Sequence, residues 1–426
     1  MKFKNQKIFS SVSKTFVYLS LGTSAYFILS KTNSSILGFY FSLNAIQSIP
    51  SFLDFGIKSS IHSVKQNKES FETFKHYLKW FIRINFILFV SILFLKEYIF
   101  ELINTFENQY LNFIDFKILI YTSLFSSFFR TFAELYSQFF YSKRKLVINS
   151  FIDSLSSIFI IFTTIFEILY PNLMRTLILL LLSNSLIPFI FFLFIFIIKY
   201  SRKSNLSLVN YIKDIIKLVF DYKNNFFPKK NLSFQFFSLQ VSTTILNNLS
   251  PLIIAIFANY STTGSYRIFQ LLFNALSSAV LGYYIHLWVD SNNLRNIQPT
   301  EKAIKKLSKI FYLPITISIV YGFAIFKLFP TQVPISLNII LLYGLISSIS
   351  FIFGSYATIY SLFLNGSGYP IYSCFSSILG SLIFILSTSL ISNFGLAEYV
   401  PLGFILANFT CYLTIRLYSG KVNRLL

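Results

Sequence analysis

The sequence has few of the residues that build metal centres or disulfide frameworks. Its 426 residues include two cysteines, Cys374 and Cys411, each within an apolar run and without CxxC spacing. The three histidines, His62, His76 and His286, are separated by loops and form no HExxH pattern. Zinc sites and disulfide scaffolds need closer and more regular spacings of these residues. We therefore expect no metal, no cofactor and a packing role for both cysteines.

Charged residues are also scarce, and acidic residues are the scarcest. Only 12% of the residues are charged, with 36 Lys and Arg against 15 Asp and Glu, whereas 54% are hydrophobic. A soluble chain of this length would need more polar surface, so we expect an integral membrane protein. Nucleic-acid binders carry their positive charge on a solvated face, so the net charge of +21 is assigned to membrane loops and no nucleic acid is expected as a partner.

Runs of about 20 mainly apolar residues predict membrane-spanning helices. The first set of six is predicted at residues 8–30, 35–57, 80–100, 117–141, 147–170 and 176–198. The second set of six is predicted at residues 233–257, 264–287, 310–329, 335–362, 370–392 and 399–417. The expected fold is all-α, with about 12 transmembrane helices in two six-helix bundles, related by pseudo-two-fold symmetry around a central cavity.

The longest polar connection divides the chain. We expect an N-terminal bundle at 1–200, a cytoplasmic amphipathic linker at 201–230 and a C-terminal bundle at 231–426. Placing the N-terminus in the cytoplasm puts most lysines and arginines in cytoplasmic segments, as the positive-inside rule requires. Both termini are therefore predicted to be cytoplasmic.

A short Gly-x-Tyr pattern stands at matching places in the two halves. Gly38 to Tyr40 stands at the start of the second predicted span and Gly264 to Tyr266 at the start of the eighth. Equivalent positions in two sets of six spans indicate an internal repeat, which is typical of transporters that rock about a central site.

Four cations in or beside the spans are the candidate substrate-binding residues: Lys14, Arg83, Arg130 and Arg267. A charge near the bilayer centre costs about 2.5 to 3.5 kcal/mol, which favours a watery cavity or close pairing. Each has an alternative: Lys14 and Arg83 can extend to the cytoplasmic surface, Arg130 can pair with Glu134 one turn away, and Arg267 can anchor the outer interface. Serine, threonine and amide side chains of the first and seventh spans are expected to supply further polar groups.

Glu134 and Asp153 are the candidate ion-coupling carboxylates, because both are predicted to lie inside spans. Glu167 is predicted to lie at the outer surface with no special role, and Asp54 is expected to end the second helix beside Gly56.

Four stretches give the chain a family resemblance. They are LGFYFSLNAIQSIPSFLDFG at 37–56, NNLSPLIIAIFANYSTTGSYRIFQ at 247–270, SLFLNGSGYP at 361–370 and SNFGLAEYVPLGFILAN at 392–408. With the span layout, they resemble the Wzx-type O-antigen flippases of the polysaccharide transporter family, within the MOP exporter superfamily. One departure is Ala397 and Glu398, where the family commonly has a glycine after the last FG.

The resemblance implies a non-enzymatic flippase of the bacterial inner membrane. Such a protein moves an undecaprenyl-pyrophosphate-linked oligosaccharide from the inner to the outer leaflet. The implied partners are this lipid-linked substrate, the bilayer and the polysaccharide polymerase machinery.

Three other functions remain open at this stage. A membrane glycan polymerase or glycosyltransferase would need a large outer loop with catalytic groups, and the longest predicted outer loop, 101–116, contains no histidine or arginine. A major-facilitator exporter would need a glycine and basic cluster that the segment after the second span lacks. A multidrug exporter of the same superfamily is the nearest alternative, because fold alone does not determine cargo.

Overall fold

The computed structural model describes residues 3–52, 113–142, 146–170, 172–204, 248–284, 297–333 and 335–425, together with a few positions at 82–94 and residues 245 and 246. These parts of the chain are helical and contain no strand. Most of the third and seventh predicted spans, nearly all of the linker at 201–230, and Asp54 lie outside them.

The described helices follow the predicted spans closely. In the first half they are α1 (Phe3–Lys31), α2 (Ser34–Phe52), α3 (Phe113–Ser142), α4 (Leu146–Leu169), α5 (Leu173–Ser183) and α6 (Leu186–Ser204). In the second half they are α7 (Ser250–Phe257), α8 (Tyr260–Tyr284), α9 (Gln298–Ser308), α10 (Tyr312–Leu328), α11 (Leu337–Gly366), α12 (Pro370–Asn393) and α13 (Gly403–Leu425). A 3₁₀ helix, Ala397–Leu402, precedes α13.

By length and apolarity alone, the described residues include five helices able to cross a membrane, or six if the bent pair α9 and α10 is one span. The long helices α1, α2, α3 and α8 are more polar than these. Their polar side chains are largely covered by neighbouring helices, as at Ser24, Gln47 and Ser126, which are fully buried. A helix surrounded by protein does not need the continuous apolar surface of one that faces lipid.

The two halves meet where α2 crosses α8, at Gly38 and Gly264. A Cβ on Gly38 would overlap the carbonyl oxygen of Tyr260, and a Cβ on Gly264 would overlap that of Ser34. Each glycine thus faces the carbonyl four residues before the other, which is the reciprocity of a two-fold axis. The Ser34 and Ser261 hydroxyls also lie 2.9 Å apart across this contact. The matched Gly-x-Tyr patterns therefore correspond to symmetric positions in space.

The predicted sixth span is a broken helix, with α5 ending at Ser183 and α6 beginning at Leu186. Pro188 stands in the first turn of α6, where its ring prevents a regular helix from continuing through Asn184. The break leaves carbonyls of α5 without their usual partners. Gln47 on α2 donates from Nε2 to the Leu181 carbonyl at 3.2 Å and to the Ser126 hydroxyl, so this one buried amide joins three helices.

Both cysteines are buried in the second half. Cys411 on α13 lies against Gly380 on α12, and the Ser376 hydroxyl donates to the Cys411 carbonyl at 2.7 Å. The small residues on α12 let the two helices approach closely, as is common in membrane proteins.

Candidate functional site

Arg267 occupies the junction of the two halves. It lies on α8 one turn after Gly264, and its guanidinium carbon is 5.4 Å from the ring centre of Phe41 on α2. α1 packs along α8 on another side. The close approach of α2 and α8 at the paired glycines thus places a cation among three helices drawn from both halves.

The hydrogen bonds of Arg267 are incomplete. Nη1 donates to the Oε1 atom of Gln270, whereas the buried Nε atom has no hydrogen-bond partner among the described residues. A buried donor without a partner is costly, and a buried cation more so. A guanidinium with an uncommitted N–H group is suited to binding an anion, since it offers a planar set of donors to phosphate or carboxylate oxygens.

Lys14 lies within α1, and Arg83 is a half-buried helical residue. Their proximity to Arg267 and their role in binding stay predictions.

Arg130 and Glu134 pair on α3. The Nε atom of Arg130 lies 3.3 Å from Oε1 of Glu134, and the two side chains are 27% and 35% exposed. Phe128, Phe129 and Phe132 are near the pair in sequence on α3, and the rings of Phe129 and Phe132 contact Phe189 on α6. Because the two charges pair, an apolar helix can carry both. Their partial exposure leaves both side chains accessible to a ligand.

Asp153, the other candidate coupling carboxylate, is half-buried on α4, and its backbone carbonyl accepts a hydrogen bond from Ser157 at 2.9 Å. The involvement of Glu134 and Asp153 in ion coupling stays a prediction.

Glu167 was expected to have no special role, but its side chain is fully buried and makes an ion pair. Its two carboxylate oxygens accept from Nε and Nη2 of Arg175 at 2.7 and 3.3 Å, and Oε2 also accepts from the backbone N–H of Asn172 at 3.1 Å. Arg175 also donates to the Tyr170 carbonyl. This bidentate pair closes the turn between α4 and α5. Its sequence signal was a glutamate and an arginine on either side of a short Pro-Asn turn.

The hydroxyl groups of α1 contribute less to a polar cavity than the sequence suggested. Ser20 donates to the Val17 carbonyl and Thr23 to the Ser20 carbonyl, both at 2.7 Å within the same helix. Ser24 lies 3.1 Å from the Ser20 carbonyl of the same helix and also reaches Thr164 on α4, where the two hydroxyl oxygens lie 2.9 Å apart. These groups mainly satisfy helix carbonyls and join α1 to α4, which is a common use of serine and threonine in membrane helices. Gln235, Gln240 and Asn247 lie outside the described residues.

Comparisons with known proteins identify the fold. No family model and no curated protein matches the chain. Among solved structures, it is similar to an inward-facing multidrug resistance MATE family transporter of the MOP superfamily, with 14% identity over 98% of this chain and 96% of that one and a TM-score of 0.53. It is similar to the lipid II flippase MurJ in an inward closed conformation, with 16% identity over 98% and 87% of the two chains and a TM-score of 0.58. It is also similar to the Vibrio cholerae MATE transporter VcmN in the bent form, with 12% identity over 99% and 97% and a TM-score of 0.53. The chain therefore has the helical membrane fold that the MATE transporters and MurJ share.

Proposed function

We propose that this protein is a transporter of the MOP superfamily that moves a polyprenyl-diphosphate-linked oligosaccharide across the bacterial cytoplasmic membrane. The observation that carries the proposal is Arg267, a cation at the junction of the halves whose buried Nε–H group has no hydrogen-bond partner in the described part of the chain. A diphosphate supplies the oxygens that such a group needs. The fold it shares with MurJ, a lipid II flippase, is compatible with this class of cargo, although it does not determine the cargo.

In the proposed mechanism, the two halves rotate about the crossing of α2 and α8. Arg267 lies one turn from that crossing, so it stays near the axis while the cavity opens first to one side and then to the other. Lys14, Arg83 and Arg130 are the further cations proposed to meet the diphosphate. Glu134 and Asp153 are the proposed coupling carboxylates. No chemical bond is made or broken in this cycle, which fits a transporter and not an enzyme.

A multidrug exporter is the second candidate, because MATE transporters have the same fold. The charge at the junction separates the two candidates. Arg267 repels a cationic cargo and attracts an anionic one, so a positively charged drug would gain nothing from this position.

The deciding experiment is complementation of a bacterial strain that lacks its own oligosaccharide flippase, with surface polysaccharide as the readout. Recovery of the polysaccharide by the wild-type chain supports the proposal. Drug resistance gained without polysaccharide would support the multidrug candidate instead. Immunoblots of the membrane fraction would exclude differences in protein amount.

The topology proposed with this function places both termini in the cytoplasm and divides the chain into bundles at 1–200 and 231–426. The polymerase that would receive the exported units is the proposed protein partner.

A further inference from the structure

A stripe of four lysines runs along α9. They are Lys302, Lys305, Lys306 and Lys309, the residue that follows α9, and all four are exposed. Helix positions i, i+3, i+4 and i+7 share one side, so the four ammonium groups project in one direction. None of the four forms an ion pair with a described carboxylate, and Glu301 lies about a quarter turn to the side of the stripe. The lysine stripe is therefore a concentrated positive surface.

The opposite face of α9 packs on the second half of the protein. Thr300 and Ala303 are buried, and Ala303 packs with Ile359 and Leu362 of α11 in one apolar cluster. Tyr284, at the C-terminal end of α8, packs against the same cluster. Because protein holds one face of α9, the lysine stripe on the other face must point away from the protein.

The chain directly after the lysine stripe exposes apolar side chains. Ile310, Phe311, Tyr312 and Leu313 are 48%, 53%, 58% and 48% exposed, respectively. α10 begins within this segment, and its axis is bent by 42° from that of α9. Aromatic residues beside lysines are typical of the boundary between the headgroups and the acyl chains of a membrane. The segment is therefore suited to that boundary.

The exposed side of α10 continues this apolar surface along the helix. Ile319, Phe323 and Phe326 are exposed, and they follow Tyr312 at i+7, i+11 and i+14, which places all four on one side of the helix. An apolar helix side that no protein covers contacts acyl chains. One lipid molecule can therefore reach both surfaces, with its chains on α10 and its headgroup at the lysine stripe.

We propose that α9 and the start of α10 form a binding site for an anionic phospholipid of the inner leaflet. The acyl chains contact the exposed side of α10, and the lysine stripe binds the phosphate headgroup. Basic segments beside a transmembrane helix attract anionic lipids, and each lysine near the surface strengthens the attraction severalfold. The proposal uses the orientation given above, in which α9 is cytoplasmic, and it does not depend on the cargo.

The exposed aromatic residues favour a lipid over a soluble partner. An acidic protein or a free phosphate ion would account for the lysine stripe. Neither would cover Phe311 and Leu313, which lie between the stripe and the exposed side of α10. A phospholipid supplies both the anionic group and the apolar chains in the order in which the protein presents their binding surfaces.

A tryptophan in place of Phe311 can report which lipid occupies the site. Phe311 is half exposed, so Phe311→Trp disturbs little packing. Trp80 and Trp288, the two tryptophans of the chain, are first replaced by phenylalanine, so that the new indole gives the whole signal. The full-length protein is reconstituted in phosphatidylcholine vesicles that contain a small fraction of brominated phosphatidylglycerol or of brominated phosphatidylcholine. Bromine quenches the fluorescence of an indole that it contacts.

We expect the brominated anionic lipid to quench Phe311→Trp more strongly than the brominated zwitterionic lipid at the same mole fraction. The ratio of the two binding constants should be on the order of tenfold. Adding Lys305→Gln and Lys306→Gln should lower this ratio about fivefold or more, because half of the stripe loses its charge. Lys305→Arg with Lys306→Arg should keep the ratio, since both charges remain. These lysines are exposed, so the variants should fold like the parent protein.

Lys31→Gln with Lys327→Gln is the matched control. Both lysines are exposed, and they lie at the ends of α1 and α10 that the proposed orientation places outside. This variant loses the same net charge and should leave the ratio unchanged. An equal fall of the ratio in the control would trace the preference to the net charge of the protein and overturn the proposal.

Three other results would also overturn it. The first is equal quenching by the two brominated lipids when all four lysines are present. The second is a ratio that survives Lys305→Gln and Lys306→Gln, because the headgroup would then bind elsewhere. The third is loss of the preference in inorganic phosphate but not in sodium chloride of the same ionic strength, which would assign the stripe to a soluble anion. The proposed function is unaffected by these results, because the experiment measures no transport.

Discussion

Gly38 and Gly264 lie against each other across the α2 and α8 crossing, each where a Cβ would come within 2.9 Å of the other's backbone nitrogen. Both also face a backbone carbonyl at closer range, so no side-chain rotation can make room for a methyl group. This contact joins the two halves of the fold through their main chains.

Substitution of either glycine should therefore destabilise the protein. We expect Gly38→Ala and Gly264→Ala each to lower the free energy of unfolding by about 1 to 3 kcal/mol or more, because α2 and α8 must separate. Gly22→Ala is the control, since its Cβ meets open space. Thermal unfolding in detergent measures the difference. Equal melting temperatures for the three variants would show that the helices do not touch here.

Loss of Arg267 should abolish transport without loss of protein. Arg267→Ala removes the guanidinium, whereas Arg267→Lys keeps the charge and loses the planar fork, so the lysine variant should retain partial transport. Lys14→Ala is expected to resemble Arg267→Ala. Surface polysaccharide is measured against membrane abundance of each variant. A wild-type amount of surface polysaccharide in the Lys14→Ala, Arg267→Ala double mutant would show that neither residue is needed for transport and that both serve as interface anchors.

The Arg130 and Glu134 pair can be tested by a double-mutant cycle. If the pair serves only the structure, Glu134→Ala leaves an unpaired cation and should harm the protein more than removal of both residues. If Arg130 contacts substrate, the double mutant should be as inactive as Arg130→Ala at normal protein levels. We expect the second result, because the partial exposure of Arg130 leaves it accessible to a ligand. A fully active double mutant beside an inactive Glu134→Ala would assign the pair to structure.

Removal of Arg175 should destabilise the protein more than removal of the Glu167 charge. Arg175 is 41% exposed in its side chain, whereas Glu167 is fully buried. Arg175→Ala strands a buried carboxylate and should cost about 3 kcal/mol of stability, while Glu167→Gln leaves an arginine that reaches water. Adding Glu167→Gln to Arg175→Ala should restore part of the loss in thermal unfolding. A double mutant less stable than Arg175→Ala would refute this asymmetry.

The proposed orientation can be tested with reporter fusions. Fusions at Lys68, Lys203 and Lys306 should give a cytoplasmic signal, and fusions at Asn108 and Pro171 should give an external one, because the basic segments stay inside. An external signal at Lys203 would overturn the arrangement of twelve spans.

The sequence predicted the helices better than it predicted the contacts between them. Apolar runs reveal helices because their length is set by the membrane, whereas the Gly-x-Tyr repeat indicated equivalent positions in the two halves and not that α2 and α8 cross at the two glycines. The break between α5 and α6 depends on Pro188 and on Gln47, which is far away in sequence. The apolar run at 176–198 therefore predicted one continuous helix. The burial of Glu167 depends on how the turn after α4 folds back, which no periodicity encodes.

The position of Arg267 also has an electrical consequence. A charge that crosses a membrane does work against the potential, about 2.3 kcal/mol per elementary charge for each 100 mV. Arg267 contributes one positive charge beside a diphosphate that carries more than one negative charge. Because Arg267 stays near the axis while the diphosphate crosses, the charge that moves is the negative charge of the diphosphate, which the inside-negative potential of a living cell pushes outward. The potential would then favour export over return, before any ion gradient is added.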